Sequence, residues 1–104
     1  MQTTNIYEAE FKEKGPAKNL VHDSPYFKII NFNFEAGQEL PVHNHDVEGQ
    51  LSITIIEGEG EFLGAEGASY PAKAGDVAVA EIAEPHGIRA STRMRVLVTI
   101  APPV

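Results

Sequence analysis

Short runs of β-branched and aromatic residues, interrupted by glycine, proline and polar residues, make up most of the chain. Such runs have the composition of β-strands and lie at residues 26–34, 40–45, 51–56, 61–63, 76–82, 86–90 and 94–100. Turn residues recur about every ten positions, which is typical of β-sandwiches and barrels. No window carries apolar residues at the helical spacing over three turns. The pattern predicts an all-β protein, with one further short strand at residues 5–11 and a turn-rich segment at 64–75.

Length and composition narrow the class of protein. The 104 residues fit one domain, and the absence of cysteine excludes disulfides, thiolate metal sites and cysteine nucleophiles. The N-terminal residues are polar and charged, unlike a secretory signal, and no apolar run is long enough to span a membrane. We therefore expect a cytoplasmic protein.

The balance of charge disfavours polyanionic partners. Fifteen acidic residues against eight basic ones give a net charge of −7, which repels nucleic acid and anionic membranes. The only basic cluster is Arg89, Arg93 and Arg95, which is too small to follow a phosphate backbone. We predict no nucleic-acid or membrane partner.

Two of the four histidines are spaced for metal binding. His43 and His45 stand two apart in a strand-like segment, so they project to the same side, about 7 Å apart along the strand. Two imidazoles placed in this way can converge on one ion. The alternative is a pair of solvated or core histidines, because the H-x-H motif is short. His22 lies in a polar segment, where a solvated side chain is expected.

Two blocks of sequence around these histidines resemble the two signature motifs of the cupin superfamily. The blocks are GQELPVHNHDVEGQLSITIIEG and GDVAVAEIAEPH, and the family patterns are G-x5-H-x-H-x(3,4)-E-x6-G and G-x5-P-x-G-x2-H-x3-N. Gln50 stands where the family has its acidic ligand, and Gly58 comes one residue late. In the second block, Glu81, Ala83 and Ala90 replace the family's proline, glycine and asparagine, whereas the histidine keeps its register.

The resemblance implies a fold, its boundaries and a set of metal ligands. The implied fold is a double-stranded β-helix, or jelly-roll, barrel. It is expected to form one cupin domain over residues 1–104, with 1–22 as an N-terminal arm or strand and 26–100 as the barrel. The implied ligands are His43, His45, Gln50 and His86.

Donor chemistry agrees with this ligand set. Three imidazoles and an amide oxygen suit a divalent transition metal such as Ni, Fe, Zn, Mn or Cu. Glu48 is an alternative fourth ligand because it has the same strand parity as Gln50, although its spacing from His45 does not match the family motif.

Strand parity extends the predicted site. If Gln50 points inward, Ser52 and Thr54 also line the pocket. Leu51, Ile53 and Ile55 would then face outward, and an apolar patch of that size favours a homodimer that covers it. Small cupins are commonly homodimers, which supports the same expectation.

The same parity assigns Arg89 to the surface. Arg89 stands three residues after His86, so it points away from the face of that histidine.

The resemblance implies a metal-binding cupin enzyme that acts on a small organic molecule inside the barrel, of dioxygenase, isomerase or lyase type. A non-catalytic cupin that binds a small ligand or a structural metal is the alternative, since fold does not determine function. An isomerase that uses a histidine as a base without metal is a third possibility.

Overall fold

The structure, a computed structural model, describes all 104 residues and is built almost entirely from β-strands. None of its helical segments is long and apolar enough to cross a bilayer. The two helical segments are single 3-10 turns, at Ile6–Glu8 and Ala65–Gly67. The strands are β1 Ala17–Asp23, β2 Lys28–Phe34, β3 Glu39–His43, β4 Gln50–Glu57, β5 Glu59–Leu63, β6 Ser69–Lys73, β7 Val77–Glu81, β8 His86–Ala90 and β9 Met94–Ala101.

The strands form two antiparallel sheets. One sheet has the strand order β1-β2-β9-β4-β7, and the other has the order β3-β8-β5-β6. The predicted all-β class is confirmed. The two sheets are not joined by hydrogen bonds into one closed barrel, so the layered arrangement is consistent with a double-stranded β-helix but lacks the predicted closure.

The hydrophobic core lies between the two sheets. Its fully buried members come from both layers and from the turn before β8: Phe34, Ile55, Ile82, Ile88, Met94 and Val96. Interdigitation of side chains from two facing sheets is the usual way in which such layers are stabilised.

The face of β4 that contributes to this core is the opposite of the predicted one. Leu51, Ile53 and Ile55 are 5%, 6% and 1% exposed, whereas Ser52 and Thr54 are half-buried on the other face. Burying a large aliphatic side chain stabilises the fold by about 1.5–3 kcal/mol, and small hydroxyl side chains gain nothing comparable. The prediction that the three aliphatic residues face outward is therefore wrong. The homodimer stays a prediction, without the apolar patch on β4 that supported it.

Of the segment predicted as an N-terminal arm or strand, residues 17–22 belong to β1, and residues 1–16, the arm proper, are attached by side chains and not by strand pairing. The strand predicted at 5–11 is wrong, since Ile6–Glu8 form a 3-10 turn in which the side chain of Asn5 accepts a hydrogen bond from the N–H of Tyr7. Asn33 is fully buried and donates its side-chain amide to the carbonyl groups of Ala9 and Glu10, at 3.0 and 3.1 Å. These hydrogen bonds satisfy a buried polar group and fix the arm against the five-stranded sheet.

Two strands that the pattern did not predict, β1 and β6, lie at sheet edges. Edge strands bury less surface, so their sequences carry fewer apolar residues, and an edge tolerates a proline such as Pro71.

Candidate metal site and ligand cavity

Strand pairing brings two of the histidines together. His43 is the last residue of β3 and His86 the first of β8, and the two are directly opposite each other in the ladder. The backbones approach closely here, since a Cβ atom on Gly87 would lie 2.7 Å from the carbonyl oxygen of Leu40. Glycine at position 87 therefore allows the pairing that places the two imidazoles side by side.

Hydrogen bonds attach the H-x-H segment to the turn that precedes β8. The backbone N–H of His45 donates to the carbonyl oxygen of Ile82 at 3.1 Å. The side-chain amide of Asn44 donates to the carbonyl oxygen of Ala83, also at 3.1 Å. His45 is consequently held beside His86, although the two residues are far apart in sequence.

The turn itself is closed by Glu84. Its backbone N–H donates to the carbonyl oxygen of Glu81, and its carboxylate accepts from the backbone N–H of Glu81 at 2.8 Å. In this turn the chain lacks the proline and glycine of the cupin motif. The two hydrogen bonds of Glu84 close the turn instead and keep His86 in position.

The three imidazoles form one cluster. The ring centroids of His43 and His86 are 4.6 Å apart, and those of His43 and His45 are 5.7 Å apart. His43 Nδ1 lies 2.8 Å from the carbonyl oxygen of Pro41, and His86 Nδ1 lies 2.7 Å from that of Glu84. Because a carbonyl oxygen can only accept, each Nδ1 carries a proton, so that in the neutral form of either ring the lone pair is on Nε2.

The environment keeps His86 neutral. Burial lowers the pKa of His86 below its ordinary value of 6.5, and His43 and His45 lower it further, against the hydrogen bond to Glu84 and its negative charge, which raise it. A histidine with this pKa is unprotonated at pH 7, and an unprotonated imidazole is the form that binds metal ions.

The donor types fit a metal ion, although the coordination sphere is not preformed. The Nδ1–H···O=C bonds of His43 and His86 are the contacts that orient histidine ligands in metal sites. His45 is exposed and its ring makes no hydrogen bond, so the fold does not fix its rotamer. No group of three or more His, Asp or Glu side chains is already arranged to hold an ion.

The cluster lies at a cavity of about 200 Å³ that is mostly apolar. Its walls come from both sheets and from the last residue of the chain. The lining includes Lys18, Ile30, Phe32, Leu51, Ile53 and the three histidines. A second depression of about 300 Å³ shares Ile53, His86 and Gly87 with the first.

The structure does not bring the other predicted site residues into this cavity. Gln50 and Glu48 are both exposed and lie outside the lining. The prediction that Ser52 and Thr54 line the pocket is wrong, because β4 turns the side chain of Leu51 toward the histidines and the neighbouring positions away from them.

The sequence contained a signal for the correct register of β4. Gly58 is one residue late in the motif when Gln50 is taken as the ligand position. Counting back from Gly58 with the family spacing places that position on Leu51, which is the residue that faces the cavity.

Arg89 lies on the surface, as strand parity predicts. It is exposed and pairs with Glu39 and Glu61, at 3.9 and 3.3 Å. These contacts confirm that it does not belong to the cavity.

Comparison with known proteins identifies the family. The family model described as the cupin domain matches residues 31–100. An RmlC-like cupin protein from Desulfovibrio desulfuricans has 54% sequence identity and a TM-score of 0.96, covering 100% of this chain and 99% of that one.

Two more distant structures share the fold alone. Ectoine synthase from P. lautus is 22% identical, with a TM-score of 0.78 over 100% of this chain and 80% of that chain. Salicylate 1,2-dioxygenase from Pseudoaminobacter salicylatoxidans is 18% identical, with a TM-score of 0.75 over 92% of this chain and 28% of that chain. No protein of curated function matches in sequence. The matched domain and the likeness over the full chain establish that this protein belongs to the cupin family.

Proposed function

We propose that the protein is a metal-dependent cupin enzyme that acts on a small organic molecule in the cavity, by chemistry of the dioxygenase, isomerase or lyase type. The proposed ligands of the metal are His43, His45 and His86. The observation that carries this proposal is the meeting of three imidazoles, two of them with Nδ1 bonded to a backbone carbonyl, at one mostly apolar cavity.

The donor set favours a divalent transition metal. Neutral imidazoles suit Ni, Fe, Zn and Cu, whereas Mn prefers oxygen ligands. The lining contains no carboxylate side chain, so nothing in the cavity wall would neutralise the charge of the ion. When bound, such an ion would supply Lewis-acid polarisation of an oxygen atom or, if it is iron, the chemistry of dioxygen.

The residues of the chain have separate tasks in this proposal. The carbonyl groups of Pro41 and Glu84 hold the rings of His43 and His86 in the required tautomer. His45, whose ring is not held by any hydrogen bond, completes the set by rotating toward the other two. The aliphatic walls exclude water and contact the apolar part of the substrate, as in most small-molecule sites.

Metal content tests the proposal directly. The purified protein is incubated with Ni²⁺, Fe²⁺ or Zn²⁺, freed of excess ion and measured by plasma emission spectrometry. We expect one ion per chain in the wild type, loss of the ion in His43→Ala and His86→Ala, and retention in Gln50→Ala. Far-UV circular dichroism of each variant checks that the β fold is intact. Unchanged metal content in both histidine variants, or no bound ion in the wild type, would contradict the proposal.

A specific observation favours a second function, the non-catalytic binding of a small ligand. On β4 it is the aliphatic Leu51 and not Gln50 that lines the cavity, and the three histidines are not arranged as a complete coordination sphere. Ligand binding that survives chelation, together with no turnover of bound compounds by the metal-loaded protein, would favour this function over the enzyme.

A further inference from the structure

No side chain that lines the cavity carries a negative charge, although the chain as a whole is acidic. Acidic residues outnumber basic ones by fifteen to eight overall, yet no aspartate or glutamate lines the cavity. The one charged side chain among its fourteen lining residues is Lys18. Apart from the three histidines and Gly87, the remaining lining residues are all hydrophobic.

The register of β1 places Lys18 on the inner face of its sheet. Lys18 is directly opposite Phe32, which is 7% exposed and lines the cavity. The neighbouring pair, Ala17 and Asn33, belongs to the other face, where Asn33 binds the N-terminal arm. Lys18 lines the cavity and is itself exposed, which is the combination expected of a residue at the mouth of the cavity.

Lys18 has no partner within the chain. Arg89, Arg93 and Arg95 each pair with a glutamate. Lys28, the other lysine near this end of the molecule, donates to a carbonyl oxygen of Val104 at 2.7 Å. Lys18 makes no hydrogen bond and no ion pair in a chain that has an excess of acids.

We propose that the cavity selects small carboxylates with an apolar body, and that Lys18 binds the carboxylate at the mouth. The apolar body would lie against Ile30, Phe32 and Leu51, toward the histidines. At roughly 30 Å³ per water molecule, a cavity of 200 Å³ displaces on the order of seven waters, which suits a compound with a single ring. The inference rests on the proposed function in so far as it names the substrate class for the same cavity.

Edge-strand protection is the competing explanation for Lys18. An inward-pointing lysine on an edge strand opposes pairing with another chain. In that case its removal would cause aggregation and would leave ligand affinity unchanged.

Benzoate and its neutral isostere benzamide separate these explanations. Each is titrated into the metal-free protein, and affinity is measured from ¹H–¹⁵N correlation spectra. We expect the wild type to prefer benzoate to benzamide by about tenfold, as a charge-assisted hydrogen bond at a partly exposed site provides. Lys18→Met should lose this preference by weakening benzoate alone, and Lys18→Arg should keep most of it. Lys73→Met is the matched control, since it removes the same charge from an exposed position outside the cavity.

Two outcomes of these titrations would overturn the inference. Wild-type affinity for benzoate in Lys18→Met, with or without aggregation, would show that the lysine does not bind the carboxylate. Absence of saturable benzoate binding in the wild type would show that the cavity does not bind small carboxylates. Because the titrations use metal-free protein, their result is independent of the metal measurement, and failure of either one leaves the other interpretable.

Discussion

The register of β4 decides which residues face the cavity, and truncating Leu51 tests it. Leu51 is 5% exposed and contributes to both the core and the cavity wall. Leu51→Ala removes three carbon atoms, and at about 0.8 kcal/mol for each buried methylene the transfer cost is about 2.4 kcal/mol. The space left behind adds to this loss, although the side chain already borders a cavity, so we expect about 3 kcal/mol in total. A loss of that size lowers the melting temperature of a domain of this length by about 12 °C or more.

Gln50→Ala is the matched control on the adjacent residue. Gln50 is exposed and its side chain makes no hydrogen bond, so its truncation should change the free energy of unfolding by less than about 0.5 kcal/mol. The chain has no tryptophan, so urea unfolding is followed by far-UV circular dichroism. A loss in Gln50→Ala equal to that in Leu51→Ala, or a loss below about 1 kcal/mol in Leu51→Ala, would refute the assigned register.

Three further predictions concern other parts of the molecule. Gly49→Ala should lower the free energy of unfolding in urea by about 2 kcal/mol or more, because Gly49 has φ +147° and a Cβ there would lie 2.5 Å from the carbonyl oxygen of Ala101. Gly37→Ala, at φ +87° in open space, should lower it by less. Equal losses in the two variants would contradict the steric reason. The hydrogen bond from Arg93 lowers the pKa of Glu35 below its ordinary value of 4.5. The Glu35 carboxylate therefore stabilises the fold above pH 4.5, and this stabilisation is lost as the pH falls through the lowered pKa. Wild type should therefore be more stable than Glu35→Gln at pH 6, with the difference narrowing toward pH 3; a constant difference in urea unfolding would argue against the ion pair. Sedimentation equilibrium should give twice the 11.3 kDa mass of one chain if the predicted homodimer forms, whereas a single species of 11.3 kDa at micromolar concentration would exclude it.

Alternate residues of a strand face opposite sides of the sheet, so β4 could be oriented in two ways, and the sequence analysis chose the wrong one for the cavity wall. His43 and His86 were predictable because each has a motif around it that fixes its place in a strand. For β4, the motif spacing counted from His45 placed Gln50 on the inner face. The hydrophobic alternation alone would have placed Leu51, Ile53 and Ile55 there. The structure follows the hydrophobic alternation, because burial of three aliphatic side chains outweighs a motif position that has lost its acid.

Lys18 could not be assigned from the sequence, because its role depends on a strand that the pattern does not reveal. The segment of β1 is mostly polar, and it becomes a strand through pairing with β2 at the edge of the sheet. Only the pairing of Lys18 with Phe32 shows which face it occupies. Long-range pairing of this kind is decided by the tertiary fold and not by local propensity.

The most direct measurement of the metal site is a long-range ¹H–¹⁵N correlation spectrum of the histidine side chains, recorded without metal and with one equivalent of Zn²⁺. Without metal, His43 and His86 should both show a protonated Nδ1, and His86, whose pKa is lowered by burial, should also show an unprotonated Nε2. One equivalent of Zn²⁺ should shift the Nε2 resonances of His43, His45 and His86, and leave His22 unchanged. If the Nε2 resonances of His43 and His86 do not respond to zinc, or if they respond only together with His22, the three imidazoles do not form a metal site.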